Sequence, residues 1–198
     1  MKRLVSGFLV LFFVVKLFSQ ENDFLGIKEL TFNETKYVLA TAKQKSKVLY
    51  VQDYILEDER LEDASHLISI FFFNKSIDAK DAATSKIKEL DSRKTTDKYC
   101  SYNLTENPNG TEFVVDYITS NMSKNKEEPL PDEESSSYNI YRFKNIMNGD
   151  KSFFMIITYA EKFTGDTKNN LKTIAKKRNK LMEGMITLTV PEITLKLN

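Results

Sequence analysis

This 198-residue chain has one cysteine, one histidine, no tryptophan, four prolines and six glycines. Each scarcity removes a class of chemistry. A single cysteine, Cys100, forbids any internal disulfide. Cys100 and the lone His66 together cannot fill the three or four positions of a Cys/His metal centre. A Ser–His–Asp or Cys–His catalytic site would have to recruit His66 itself. His66 and Cys100 could meet across strands, but a lone histidine at a strand entrance and a small cysteine within a strand read first as structural residues. The glycines stand singly, so no phosphate-cradling loop exists, and no G-x-S-x-G elbow occurs. Absence of tryptophan weighs against a sugar-stacking cleft. A hydrolase built on two converging carboxylates stays open, because spacing alone does not exclude it.

Excess charge is missing too. The chain has 29 Lys and Arg against 28 Asp and Glu. A nucleic-acid binder would show a basic surplus.

What is present begins at the N-terminus. Lys2 and Arg3 precede an apolar run from Leu4 to Phe18, followed by Ser19 and Gln20. A short positive end, a greasy stretch below the roughly 20 residues of a spanning helix and a small residue at the cut describe a secretory signal. The reading is residues 1–19 as signal peptide, cleaved after Ser19, and 20–198 as one α+β domain, secreted or periplasmic. Lys16 sits near the run's end and could snorkel, which leaves an uncleaved anchor as the alternative. Cleavage removes three cations, so the basic count falls from 29 to 26 against 28 acids, a net charge near −2. Exported small domains of animals lean on disulfides. One cysteine, with abundant Lys, Asn, Ile and Phe, points instead to a bacterial envelope. Sequons at Asn33, Asn74, Asn103, Asn109 and Asn121 fit chance in an Asn- and Thr-rich chain.

The mature region alternates as strands do. Glu21 to Glu34 reads as a loosely attached lead-in. Tyr37–Ala42 and Lys47–Leu56 form a hairpin around a polar turn at Lys43–Ser46. An acidic connection with Glu57, Asp58, Glu59, Glu62 and Asp63 follows, close to Asp53. It offers oxygens for calcium but lacks the alternating ligands and central glycine of an EF-hand, and reads as solvated. Leu67–Phe73 is apolar on both faces, which asks for cover on both sides. Asp78 caps a helix to Ser92. A second hairpin, Tyr99–Leu104 with Phe113–Ile118, turns at Asn107-Pro108-Asn109-Gly110. Asn121–Ser137 is a Pro-, Glu- and Ser-rich loop. Tyr138–Ile146 and Lys151–Ala160 make a third hairpin around Asn148-Gly149. Asp166 or Thr167 caps a final helix with Leu171, Ile174, Ala175, Leu181, Met182 and Met185 on one stripe. Gly184 ends or weakens it, and an extended tail carries Pro191.

Sequential hairpins give a mostly antiparallel sheet of six to seven strands with helices packed on it, an α/β/α sandwich. The strand–acidic connection–Ile-rich strand run from Tyr54 to Phe72, and the Tyr138–Ala160 hairpin with its helix, resemble the PsbP/Mog1-like sandwich over most of residues 36–187. They are also similar to small exported bacterial domains without known activity. The resemblance implies a binding or assembly role and supplies no catalytic residues, cofactor or metal ligands.

One surface stands out. Lys168, Lys172, Lys176, Lys177, Arg178 and Lys180 fall within thirteen residues of the last helix. They offer a face for anionic lipid or an acidic protein; the alternative is an ordinary solvated helix face. The expected function is therefore noncatalytic binding or assembly with a protein or small ligand, with membrane-surface binding and a carboxylate hydrolase as alternatives.

Overall fold

A computed structural model describes residues 23–121, 134–148 and 150–194. The apolar N-terminal segment, most of the Pro/Glu/Ser-rich loop, Gly149 of the third hairpin's turn and the end of the tail lie outside these residues.

The chain forms one antiparallel sheet of eight strands, curled as a half-barrel, with two helices. The elements are β1 (Glu29–Phe32), β2 (Thr35–Ser46), β3 (Leu49–Leu56), β4 (His66–Phe73), α1 (Ala79–Lys94), β5 (Ser101–Glu106), β6 (Glu112–Asn121), β7 (Ser135–Asn148), β8 (Lys151–Thr164) and α2 (Thr167–Thr187). Spatial order is β1-β2-β3-β4-β8-β7-β6-β5. Each half is a run of strands adjacent in sequence, and β4 meets β8 at the centre.

Strand alternation sorts the core into two layers. Phe113, Val115, Tyr117, Phe143 and Phe154 pack with Ala79, Ala83 and Leu90 of α1. Their alternates Val114, Ile140, Met155, Ile157 and Tyr159 pack with Ile174, Leu181, Met182 and Met185 of α2. The helices thus cover opposite faces, which is why β8 is apolar on both sides. The α2 layer is the larger and receives residues from every strand except β5.

The eighth strand is the one the sequence hides. Residues 24–34 are not a loose lead-in: Leu25, Ile27, Leu30 and Phe32 are buried. Gln52, fully buried on β3, ties them down. Its Oε1 accepts from the Leu25 N–H at 2.9 Å, and its Nε2 donates to the Ile27 carbonyl at 3.2 Å and to Tyr54 Oη at 2.8 Å. Tyr54 Oη donates in turn to the Ile27 carbonyl at 3.0 Å. A four-residue strand has too little alternation to be recognised; a buried amide two elements away holds it.

Other boundaries shift. Lys43–Ser46 is not a turn but the end of β2, which pairs with β3 through Lys43↔Val51 and bends at two register shifts. β7 starts at Ser135, inside the segment read as loop. Asp78 caps α1 as expected, its carboxylate accepting from the Asp81 N–H at 2.9 Å, and Asp166 caps α2 through the Asn169 N–H at 2.8 Å. Gly184 does not end α2. A Cβ there would lie 2.1 Å from Asn33 Oδ1, so the glycine leaves room for the β1–β2 turn, where Asn33 has φ 48°. Ala175, placed on the apolar stripe by spacing, is exposed.

Candidate functional site

The six cations of α2 do not form one surface. α2 docks by its stripe, and Lys177 and Arg178 lie at the margins of that stripe. Arg178 donates to both oxygens of Asp116 on β6, Nε at 2.6 Å and Nη2 at 2.8 Å. Lys177 meets Glu161 on β8. Both carboxylates are buried, Asp116 at 2% exposure and Glu161 at 5%. Buried carboxylates require partners, and these two cations supply them. Lys168, Lys172, Lys176 and Lys180 stay exposed, and none forms an ion pair among the described residues.

His66 lies in a cleft of about 360 Å³ between the β1–β2 turn, β4, β8 and α2. Its Nε2 faces Glu161 Oε1 at 3.3 Å, and its Nδ1 lies 2.8 Å from Ser65 Oγ. A histidine between a serine hydroxyl and a glutamate looks like a hydrolytic triad, but the protons run the wrong way. Ser65 Oγ donates its one proton to Glu59 Oε1 at 2.7 Å. With that proton on Glu59, both imidazole nitrogens face oxygen acceptors, an arrangement that favours the doubly protonated ring. The hydrogen bond to Glu161 raises the His66 pKa against partial burial, and the charges of Glu161 and Glu59 add to the rise. In the doubly protonated form that this geometry favours, the ring has no lone pair with which to deprotonate Ser65. Glu161 is held below its ordinary range: burial opposes ionisation, but hydrogen bonds involving His66, Lys177 and Tyr159 outweigh it. Burial pushes the nearby Tyr37 hydroxyl up to about 12. This cluster seats α2 on the sheet. Glu59 and Glu161 flank the imidazole from either side and do not face a shared open space, as a carboxylate pair for glycoside cleavage must.

Cys100 is far from His66. It lies just before β5 in the α1 layer, and β8, β7 and β6 stand between β4 and β5. Its thiol donates to the Leu90 carbonyl at 3.7 Å, and burial raises its pKa. In the acidic connection, Glu57, Asp58, Glu62 and Asp63 point to solvent, while Asp53 accepts from Ser69 Oγ at 2.6 Å. No cluster of three potential metal ligands occurs among the described residues.

A larger concavity than the His66 cleft lies at the C-terminal end of α2. A groove of about 900 Å³ opens between the β7–β8 hairpin and residues 186–194. Phe72, Phe153 and Met155 supply apolar surface from the sheet, and Leu188, Val190 and Ile193 face them from the strap after the helix. Arg142 fixes that strap. Its Nη1 donates to the carbonyls of Met185 at 3.1 Å and Leu188 at 2.9 Å, satisfying acceptors that a helix end leaves open. Its Nε donates to Glu112 Oε2 at 2.8 Å, and Lys144 lies 3.2 Å from Glu112 Oε1. Two cations share one carboxylate at this wall. The strap's far end is tied by the Thr194 N–H to the Leu25 carbonyl at 3.0 Å. Met147 at 65% exposure and Ile186 at 46% leave apolar surface at the mouth.

Sequence reasoning did not single out this groove, although one signal was present. Alternation places Arg142 and Lys144 on the same side of β7 as Tyr138 and Ile140. A charge on a core-facing row marks a place where the core opens.

Residues 25–190 match the model of an uncharacterised protein family. No curated protein and no solved structure matches the chain.

Proposed function

We propose that this chain, which belongs to that uncharacterised family, is an exported, noncatalytic binding protein whose ligand occupies the groove between the β7–β8 hairpin and the strap. The observation that carries this reading is the groove itself. Its volume falls in the range of roughly 300–1,000 Å³ typical of small-molecule sites, and apolar and polar groups line it in similar measure. The walls suit an elongated apolar body. The Lys144 side, where two cations meet one carboxylate, suits a polar or anionic end.

The noncatalytic part rests on the proton arrangement at His66, where the serine has no base. Export rests on the Lys2-Arg3 start and the apolar run to Phe18. The PsbP/Mog1-like reading is supported by layering alone, one sheet between two helices.

The test uses a naphthylamine dye whose emission rises in apolar surroundings. The reading expects saturable one-to-one binding, displacement by a long-chain carboxylate, and loss of binding in Val190→Asp with its melting temperature little changed. Dye binding that Val190→Asp leaves intact would remove the groove from the account.

A further inference from the structure

We infer that the exposed face of α2 is a docking surface for an anionic lipid bilayer. The inference does not depend on what fills the groove. Folding takes Lys177 and Arg178 out of the cationic cluster by pairing them with Glu161 and Asp116. The remaining Lys168, Lys172, Lys176 and Lys180 stand four residues apart. At 1.5 Å per residue the row runs about 18 Å, and at 100° per residue it fans over about 120° of the helix. That spread covers the solvent side of α2, where Asn169, Thr173 and Asn179 fill the gaps. Asp166 at one end is engaged in capping, which leaves Glu183 as the acid of that face.

The pattern favours a bilayer over an acidic protein. Protein interfaces concentrate energy in aromatic and arginine anchors near a centre. This face has neither; its one arginine is turned inward to Asp116. Four lysines spread evenly are compact point charges that suit a field of mobile headgroups. Ile186, 46% exposed, lies on the same side of the helix and provides one apolar residue for the interfacial zone. Because Ile186 also lines the groove, docking by this face would bring the groove mouth towards the headgroups.

The experiment is co-sedimentation of the mature protein with vesicles of neutral phosphatidylcholine, alone or with about one-third phosphatidylglycerol. Two variants carry equal charge change: Lys172→Glu/Lys176→Glu/Lys180→Glu on α2, and Lys43→Glu/Lys45→Glu/Lys47→Glu around the β2–β3 turn, where all three lysines are also exposed. Binding is expected to need the anionic lipid and to weaken as salt rises from about 0.1 M to about 1 M, where the Debye length shrinks from about 10 Å to about 3 Å. The α2 variant is expected to lose about a hundredfold in partitioning, given a few-fold per basic residue near an anionic surface. The turn variant should retain most of its binding. Circular dichroism confirms that both variants fold. Equal binding to neutral vesicles, equal loss in the two variants, or no vesicle binding by the wild type would each overturn the inference. The dye assay runs without lipid, so either proposal can fail alone.

Discussion

The two helices spend their cations differently. On α1 the charges are local: Lys86 pairs with Glu89, Lys94 with Asp91 and Arg93 with Asp97, all within four residues. On α2 none of the four exposed lysines pairs with an acid among the described residues, although Glu183 stands three residues after Lys180, and the pairs that form cross to buried carboxylates on the sheet. α1 pairs three of its five cations with acids close in sequence and leaves Lys80 and Lys88 exposed; α2 uses two as fasteners to the sheet and leaves four exposed. A composition count cannot distinguish these cases, since both helices are rich in lysine. The difference arises from the sheet, where β6 and β8 present acids to α2 and the opposite face presents mostly apolar residues to α1.

The sharpest way to break this contrast is at a fastener. Among the described residues, Arg178→Ala leaves buried Asp116 only Tyr138 Oη, at 3.3 Å, as side-chain hydrogen-bond donor. The expected cost is about 3 kcal/mol, the lower end for a broken buried pair because water reaches Arg178. That is a fall in melting temperature on the order of 8 °C by thermal unfolding. Removing both charges with Asp116→Asn/Arg178→Met should recover a large part of the loss, because no buried charge remains uncompensated.

The next effect separates helix propensity from packing. Ala normally stabilises a helix interior by about 1 kcal/mol relative to Gly. Gly184→Ala should instead destabilise by about 1–2 kcal/mol, because the new methyl meets the Asn33 carboxamide. In an Asn33→Gly background the sign should reverse, since glycine accepts the positive φ at 33 and clears the space. Denaturant midpoints of the four proteins test this.

A smaller effect concerns pH. The folded-state pKa of His66 is raised, so its contribution is fully present below the unfolded value near 6.5. It is lost as pH rises through the folded pKa above that. The melting temperature of wild type minus that of His66→Gln should therefore fall as pH increases past 6.5. A difference that grows over this window would mean that the imidazole is not held by Glu161. The smallest effect is on α1: Lys94→Ala removes an exposed pair and should leave the melting temperature unchanged within error.

Fold class was readable because hairpins announce themselves. Asn107–Gly110 turns the β5–β6 hairpin, Asn107 Oδ1 accepting from the Thr111 and Glu112 N–H groups, and Asp78 and Asp166 cap both helices. Seven of the eight strands carry enough alternation, continuous apolar character or turn signal to be seen. β1 does not, because its hold comes from Gln52 and from packing at long range. The lysine row was visible as composition, but its division was not, since the pairing of Lys177 and Arg178 depends on where Glu161 and Asp116 fall across the sheet. The groove was invisible for a related reason. Its walls come from β4, β7, β8 and the strap, and only the fold brings Phe72 near Val190.

The account stands on the groove as a ligand site. The most direct measurement is a methyl-detected nuclear magnetic resonance titration of residues 20–198 with a long-chain carboxylate. The predicted result is saturable shifts at Met155, Leu188, Val190 and Ile193, with Leu181 beside the His66 cleft unmoved. Shifts confined to Leu181 and its neighbours, or no saturable shifts at all, would contradict it.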